Sequence, residues 1–215
     1  MNTYIIIILV VLVVGSLISA YIYEKKRSEA LELAAGSIGL TFSNKGRRST
    51  KSKHLTFHLF SRGHSQKIKN EMWGNIGGMD ITLFGYQYTE SSGKHSRNYN
   101  QTVLSIDHAG ANFPDFELRQ ENLLHKIGQA FGYQDIDFTS YPEFSSKYLL
   151  RGSNESKIRR LFSPEVIKFI ESKNEICIEA KRDTLIFYKL STRCQPEEIE
   201  SFINEGQQIQ KIFVS

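Results

Sequence analysis

The chain is 215 residues long, and its 40% hydrophobic and 12% aromatic content with only four prolines excludes a largely disordered protein. The net charge is only +4 at pH 7, so any basic surface must come from uneven distribution rather than from overall excess. About 190 residues follow the first apolar segment, enough for one sizeable core or two small ones.

That first segment, Ile5 to Ile22, has no charged residue and is mostly Ile, Val and Leu. At about 1.5 Å per residue it reaches roughly 27 Å as a helix, close to a hydrocarbon core of about 30 Å. No polar stripe interrupts it, as one would in a core helix of a soluble protein. Tyr4 lies at one end and Tyr21 and Tyr23 at the other, where tyrosine suits the headgroup zone. A cleaved signal peptide would need a positive n-region and a small-x-small site. Met1–Tyr4 has no Lys or Arg, and Ile18-Ser19-Ala20 matches poorly. No cysteine lies near the segment, which argues against a lipoprotein. The expectation is an uncleaved transmembrane anchor over 1–23. Lys25, Lys26 and Arg27 follow it with nothing basic before it, so the positive-inside rule places the remainder in the cytoplasm, on the inner membrane. Two cysteines, Cys177 and Cys194, suit a reducing compartment as thiols, and outside they could form one disulfide.

Residues 24–39 read as a juxtamembrane helix whose narrow apolar stripe is Ala30, Leu31, Ala34 and Ala35, ended by Gly36 or Gly39. A domain over 40–215 then opens with a short strand at Leu40-Thr41-Phe42. A basic loop over 44–54 follows, carrying Lys45, Arg47, Arg48, Lys51 and Lys53 with no acid among them. Residues 24–70 hold eleven Lys or Arg against three Glu. The basic part is thus the part nearest the anchor, where anionic lipid attracts each cation by about 1 kcal/mol. A solvated loop explains the same run equally well. Nucleic acid does not, because no aromatic residues interleave it.

From Lys67 the period changes to two. Met72, Trp73 and Ile76 lead to a Gly77-Gly78 turn, and alternation continues through Met79, Ile81 and Leu83 to Tyr88. Glu90–Asn98 is a polar loop, and Tyr99–Asp107 returns as a third strand of a meander. Phe113–Leu118 is extended. Glu121–Phe131 reads as a helix and Phe144–Gly152 as a strand. Ser153 or Asn154 can cap a short helix ending near Phe162, and Ser163-Pro164-Glu165 opens another. Glu175–Ala180 and Thr184–Leu190 form a hairpin, and Pro196 opens a C-terminal helix with Ile199, Phe202, Ile203, Ile209, Ile212 and Phe213 at helical spacing. The fold class is therefore α+β: a transmembrane helix, then an antiparallel-sheet domain with packed helices. Seven or so strands and a closing helix also match, by count alone, a pleckstrin-homology-like barrel.

Several runs carry a likeness together: Leu83–Tyr88, Ser92-Gly93-Lys94, Gln101-Thr102-Val103, Phe113–Leu118, Phe144–Gly152 and Arg160-Leu161-Phe162. With them the chain resembles an uncharacterised family of bacterial single-pass membrane-anchored proteins. The resemblance covers most of the part after the anchor and implies architecture and a bacterial origin, with no activity attached.

No catalytic pattern emerges. Ser92-Gly93-Lys94 lacks the earlier glycine and the following Ser or Thr of a phosphate loop, since Tyr88 and His95 stand there. Gly74–Gly78 precedes no helix, so a dinucleotide fingerprint fails. His54 and His58 share the spacing of paired metal ligands, yet Leu55 occupies the place of a hydrolase glutamate, and surface histidines are the simpler reading. Asp135 and Asp137 read as a solvated edge. Of the aromatics Trp73, Phe84, Tyr86, Tyr88 and Tyr99, most are expected in the core, with Tyr86 and Tyr88 as candidate partner contacts. The sequence thus points to a non-enzymatic, membrane-tethered cytoplasmic interaction or scaffolding module with an unknown protein partner, no cofactor and no nucleic acid. Its membrane-surface candidates are Lys25, Lys26, Arg27, Lys45, Arg47, Arg48, Lys51 and Lys53. The alternative is a small-molecule or lipid-headgroup binding domain, including an enzyme whose site goes unrecognised.

Overall fold

The structure, a computed structural model, describes residues 3–121 and 135–214. Its first element, α1 (Thr3–Ser37), is one unbroken helix of 35 residues, about 52 Å long. Every residue from Tyr4 to Lys26 is exposed, and the apolar part is long and apolar enough to cross a membrane. Burial begins at the next residue, Arg27. Leu31 and Ala35, from the expected stripe, are buried, and Ala30 and Ala34 are half-buried.

Among the described residues, eight strands form one antiparallel sheet. They are β1 (Thr41–Lys45), β2 (His64–Ile76), β3 (Met79–Ser92), β4 (His95–Asp107), β5 (Phe113–Gln120), β6 (Tyr148–Gly152), β7 (Ile176–Arg182) and β8 (Thr184–Lys189). Their order is β1-β2-β3-β4-β8-β7-β5-β6. The expected meander is β2–β3–β4. Its first turn, Gly77-Gly78, has φ of 60° and 80°, a left-handed pair that glycine adopts without strain. The polar stretch expected as a loop is instead ladder: Glu90 pairs with Arg97 and Ser92 with His95, so β3 and β4 run to a two-residue tip. The eight strands lie in one linear order with β1 and β6 at the ends, so the pleckstrin-homology-like count reduces to a C-terminal helix on a sheet.

Strand alternation feeds two cores. One face presents Ile81, Leu83, Leu104, Ile106, Phe116, Leu118, Ile178 and Phe187 to the end of α1 and to the helices α4 (Pro142–Lys147), α5 (Glu155–Leu161), α6 (Pro164–Glu171) and α7 (Ile199–Val214). On α7, Phe202 stacks on Phe187 with centroids 4.8 Å apart. A Cβ at Gly206 would lie 2.3 Å from Leu104 Cδ2, so glycine lets this helix settle onto the sheet. The opposite face presents Phe84, Tyr86, Tyr88, Tyr99, Val103, Ile186 and Tyr188 to two short helices, α2 (Arg48–His54) and α3 (His58–Ser61).

Two expectations change here, and a third falls outside the described residues. The basic segment 44–54 is not a loop: it ends β1 and then forms α2. Its inward side is Thr50 and His54, polar residues that carry no hydrophobic period. Phe144–Lys147 is helical rather than extended, because Pro142 and Glu143 open α4 and only Tyr148–Gly152 joins the sheet. The helix expected over Glu121–Phe131 lies, beyond Glu121, outside the described residues.

Candidate functional site

Two polar sites stand out, one on each face of the sheet. The first lies where α1 meets the sheet. Glu24, Arg27 and Leu31 fall on one helix face at i, i+3 and i+7. Ser28 is 2.5 Å from Asn44 Oδ1 and 2.8 Å from Asn70 Oδ1, which fixes the far end of β1 and the middle of β2 beside this turn. Ala35 O accepts from Leu40 N at 2.9 Å. Thus β1 runs back along α1, toward its exposed apolar end.

Between α1 and strands β2–β4 lies a recess of about 280 Å³, lined by Glu24, Arg27, Lys67, Lys69, Thr102 and Arg193 among others. Arg193 holds Glu24 through two nitrogens, at 2.7 and 2.8 Å. Arg27 is 9% exposed, and its Nη2 donates to Cys194 O at 2.6 Å. Its Nη1 is buried with no hydrogen-bond partner among the described residues. Burial, and then the charge of Arg193, push the Arg27 pKa below its ordinary value. The recess holds four cations against one carboxylate, and that carboxylate is already committed to Arg193.

The sequence candidates divide accordingly. Lys25 and Lys26 are exposed on α1, whereas Arg27 turns inward, because the face that carries Leu31 must meet the core. Lys45 is exposed and pairs in register with Lys69 on β2. Arg48 and Lys51 are exposed on α2. Arg47 is not free: it binds the fully buried Glu71 at 2.7 Å and lies 3.9 Å over the Trp73 ring. Lys53 pairs with Asp107. The exposure expected of Tyr86 and Tyr88 is corrected. They are 2% and 0% exposed, because β3 has helices on both faces and α3 covers the one they occupy. Phe60 of α3 lies 4.5 Å from the Tyr86 ring.

The second site is beneath α3. In-register pairing puts Arg151, Glu117 and Glu179 side by side across β6, β5 and β7. Arg151 donates to Glu117 from Nε at 2.7 Å, and its Nη2 also lies 2.7 Å from that carboxylate. His58 Nδ1 is 2.9 Å away and Arg119 Nη1 3.6 Å. Burial raises the Glu117 pKa, but His58, Arg119 and Arg151 outweigh it and hold it at about 2. Glu179 accepts from His58 N at 2.6 Å, Leu59 N at 3.0 Å and Tyr188 Oη at 3.1 Å. Burial and the charge on Glu117 push Glu179 up to about 8, against the pull of those donors.

Ligand atoms of His58, Glu117 and Glu179 lie within 4.8 Å of one another, a spacing that suits a metal. The donor set argues otherwise. Two guanidiniums already neutralise Glu117, and Glu179 is spent on the first two backbone N–H groups of α3 and on Tyr188. A dication would have to displace or repel these cations. The cluster is a polar clamp whose carboxylates are closed off by protein donors, holding α3 to the sheet, and it lines a cavity of about 330 Å³ that Thr56 and Ser61 also line.

The histidines expected at the surface are the linkers of this face. His54 is 1% exposed and sits 2.8 Å from Ser105 Oγ, and His58 is half-buried beside Glu117. Both cysteines are free and buried, and burial pushes each thiol up to about 12, so neither is poised to react. The sequence reading missed Glu24, Lys67, Lys69 and Arg193 at the first site, which only the tertiary fold assembles. It missed Glu117 and Glu179 at the second, where charged residues alternating with apolar ones inside strands were the available signal.

No family model matches this sequence, and no curated protein matches it. Among solved structures, the crystal structure of the mycobacterial trehalose monomycolate transport factor A, TtfA, is similar with a TM-score of 0.65. The match covers 86% of this chain and 93% of that one at 12% identity, a likeness of fold.

Proposed function

We propose that this chain is a single-pass bacterial membrane protein whose domain, tied rigidly to the cytoplasmic face of the inner membrane, works as a binding module on anionic lipid. The observation that carries this reading is the unbroken course of α1 from a fully exposed apolar stretch into the core. In water such a surface would far exceed the apolar patches that soluble monomers expose. In lipid it is the spanning element, and helix is the form that satisfies its own backbone there. Lys25 and Lys26, exposed just past the apolar run, favour the cytoplasmic side for the domain. Lys45, Lys67 and Lys69 stand at the level of Ser28, about 8 Å along α1 from Tyr23, within reach of headgroups.

The protein-recruiting version of this module loses its surface, because the two tyrosines expected to contact a partner are buried. The lipid-headgroup alternative gains one, the cationic recess at the membrane exit. At the clamp, Glu117 and Glu179 are already engaged by Arg151 and Tyr188. TtfA is a mycobacterial trehalose monomycolate transport factor, and only its fold bears on this chain.

The test is protease protection of a C-terminally tagged full-length chain in spheroplasts. The tag should remain with carbonate-washed membranes and resist protease until the membrane is broken. Release by carbonate would remove the anchor, and digestion from outside would remove the cytoplasmic placement.

A further inference from the structure

We propose that the recess between α1 and strands β2–β4 is the seat of one phosphate group, supplied by an anionic phospholipid of the leaflet that α1 leaves. This deepens the tethered-module reading and rests on it for the source of the ligand.

Depth is the first argument. Arg27 lies four residues beyond Tyr23, about 6 Å along the helix axis. A headgroup layer is roughly 5–8 Å thick on each side of the hydrocarbon. Arg27 therefore lines the recess at the height where lipid phosphates lie. Composition is the second. Arg27, Lys67, Lys69 and Arg193 converge on a space whose one carboxylate, Glu24, is held at both oxygens by Arg193. A buried guanidinium nitrogen without a partner is costly, and Arg27 Nη1 is one. An oxygen of a phosphate monoester or diester would supply the missing acceptor and the missing charge together.

Size is the third. The recess of about 280 Å³ equals roughly nine waters at about 30 Å³ each, room for a phosphate with glycerol attached. Rigidity is the fourth. Arg27 is anchored by Cys194 O and Arg193 by Glu24, so two of the four cations are in place before a ligand arrives. Lys67 and Lys69 are exposed on β2 and can close over it.

The experiment uses the full-length chain in a neutral maltoside detergent, titrated with dihexanoyl phosphatidylglycerol. Dihexanoyl phosphatidylcholine and inorganic phosphate serve as separate probes, read by thermal shift and by native mass spectrometry. The expected result is one phosphatidylglycerol per chain, bound saturably and at least about tenfold more tightly than either comparison probe. Arg27→Gln should weaken binding by about tenfold or more. If that variant fails to fold, Lys67→Gln/Lys69→Gln, which alters only exposed side chains, should weaken it by a similar factor. Inorganic phosphate binding as tightly as the lipid would overturn the bilayer as source. Absence of a saturable 1:1 complex, or a complex indifferent to these substitutions, would overturn the site. Because the titration is done in detergent, its failure leaves the protease-protection result standing, and a failed anchor leaves this titration readable.

Discussion

Glu117→Gln isolates the clamp under α3 and gives its strength a number. The substitution keeps shape and removes one charge. Glu117 is 6% exposed and faces Arg151 at 2.7 Å, His58 at 2.9 Å and Arg119 at 3.6 Å. Both arginines are themselves buried, so they cannot recover the loss by turning to water. Removing one partner of a buried ion network costs about 3–5 kcal/mol. For a domain of this size that corresponds to a fall in Tm of about 10 °C. The assay is thermal unfolding of residues 24–215 at pH 7, followed by circular dichroism with and without EDTA. The wild type should be indifferent to the chelator, since the carboxylates are satisfied by protein donors. A drop of several degrees in EDTA, restored by zinc, would refute the closed-clamp reading and make His58, Glu117 and Glu179 a metal site. A shift below about 2 °C for Glu117→Gln would refute the energetic argument itself. Acid should act in the same direction. Glu117 is depressed from 4.5 to about 2, so its contribution is present above pH 4.5 and fades as pH falls toward 2.

Glu179 gives the opposite slope. Its pKa is raised from 4.5 to about 8, so the stability it brings is full below pH 4.5 and is lost as pH rises through 8. Glu179 should make the domain's Tm decline from about pH 4.5 to about pH 8 and level off above it, and Glu179→Gln should flatten that decline; an unchanged slope in the variant would assign the pH dependence elsewhere. On the surface, Lys45→Ser/Arg48→Ser/Lys51→Ser spares the paired Arg47 and Lys53. At about 1 kcal/mol per cation, it should weaken binding of the anchor-free domain to phosphatidylglycerol vesicles by roughly a hundredfold at low salt. Unchanged flotation with these vesicles would mean that the basic segment does not touch lipid.

The meander, the β7–β8 hairpin and helices α6 and α7 were legible because each carries its own local signal. Alternating Ile81 and Leu83, the Gly77-Gly78 turn and the Ser163-Pro164-Glu165 start need no distant partner to be read. The covered second face was not legible. Strands with Glu117 and Arg119 beside Phe116 and Leu118, or Cys177 and Glu179 beside Ile176 and Ile178, read as half-buried with a wet side. What dries that side is α2–α3, drawn from a segment whose charge suggests solvent. The contacts that dock it are Thr50 to Glu71, His54 to Ser105 and the α3 backbone to Glu179, spaced 21 to 121 residues apart. No local period encodes such pairs. The same holds for the recess, where Arg193 meets Glu24 across 169 residues.

The exposed apolar run and the domain are joined by one unbroken helix. A flexible linker would let the domain present any side to the bilayer. Here the helix does not break, and its residues change role by face within two turns: Lys25 and Lys26 stay outside, while Arg27, Leu31 and Ala35 turn into the fold. The stripe that docks on the sheet continues the rotation of the exposed apolar run, so the angle between that run and the domain follows from helix geometry. β1 then returns along α1 and brings Asn44 back to Ser28, which sets Lys45 and its neighbour Lys69 toward the exposed apolar end of α1. Lys45 and Lys69 thereby become neighbours beside the Ser28 turn of α1, so a chain of overall charge only +4 carries a local cationic cluster there.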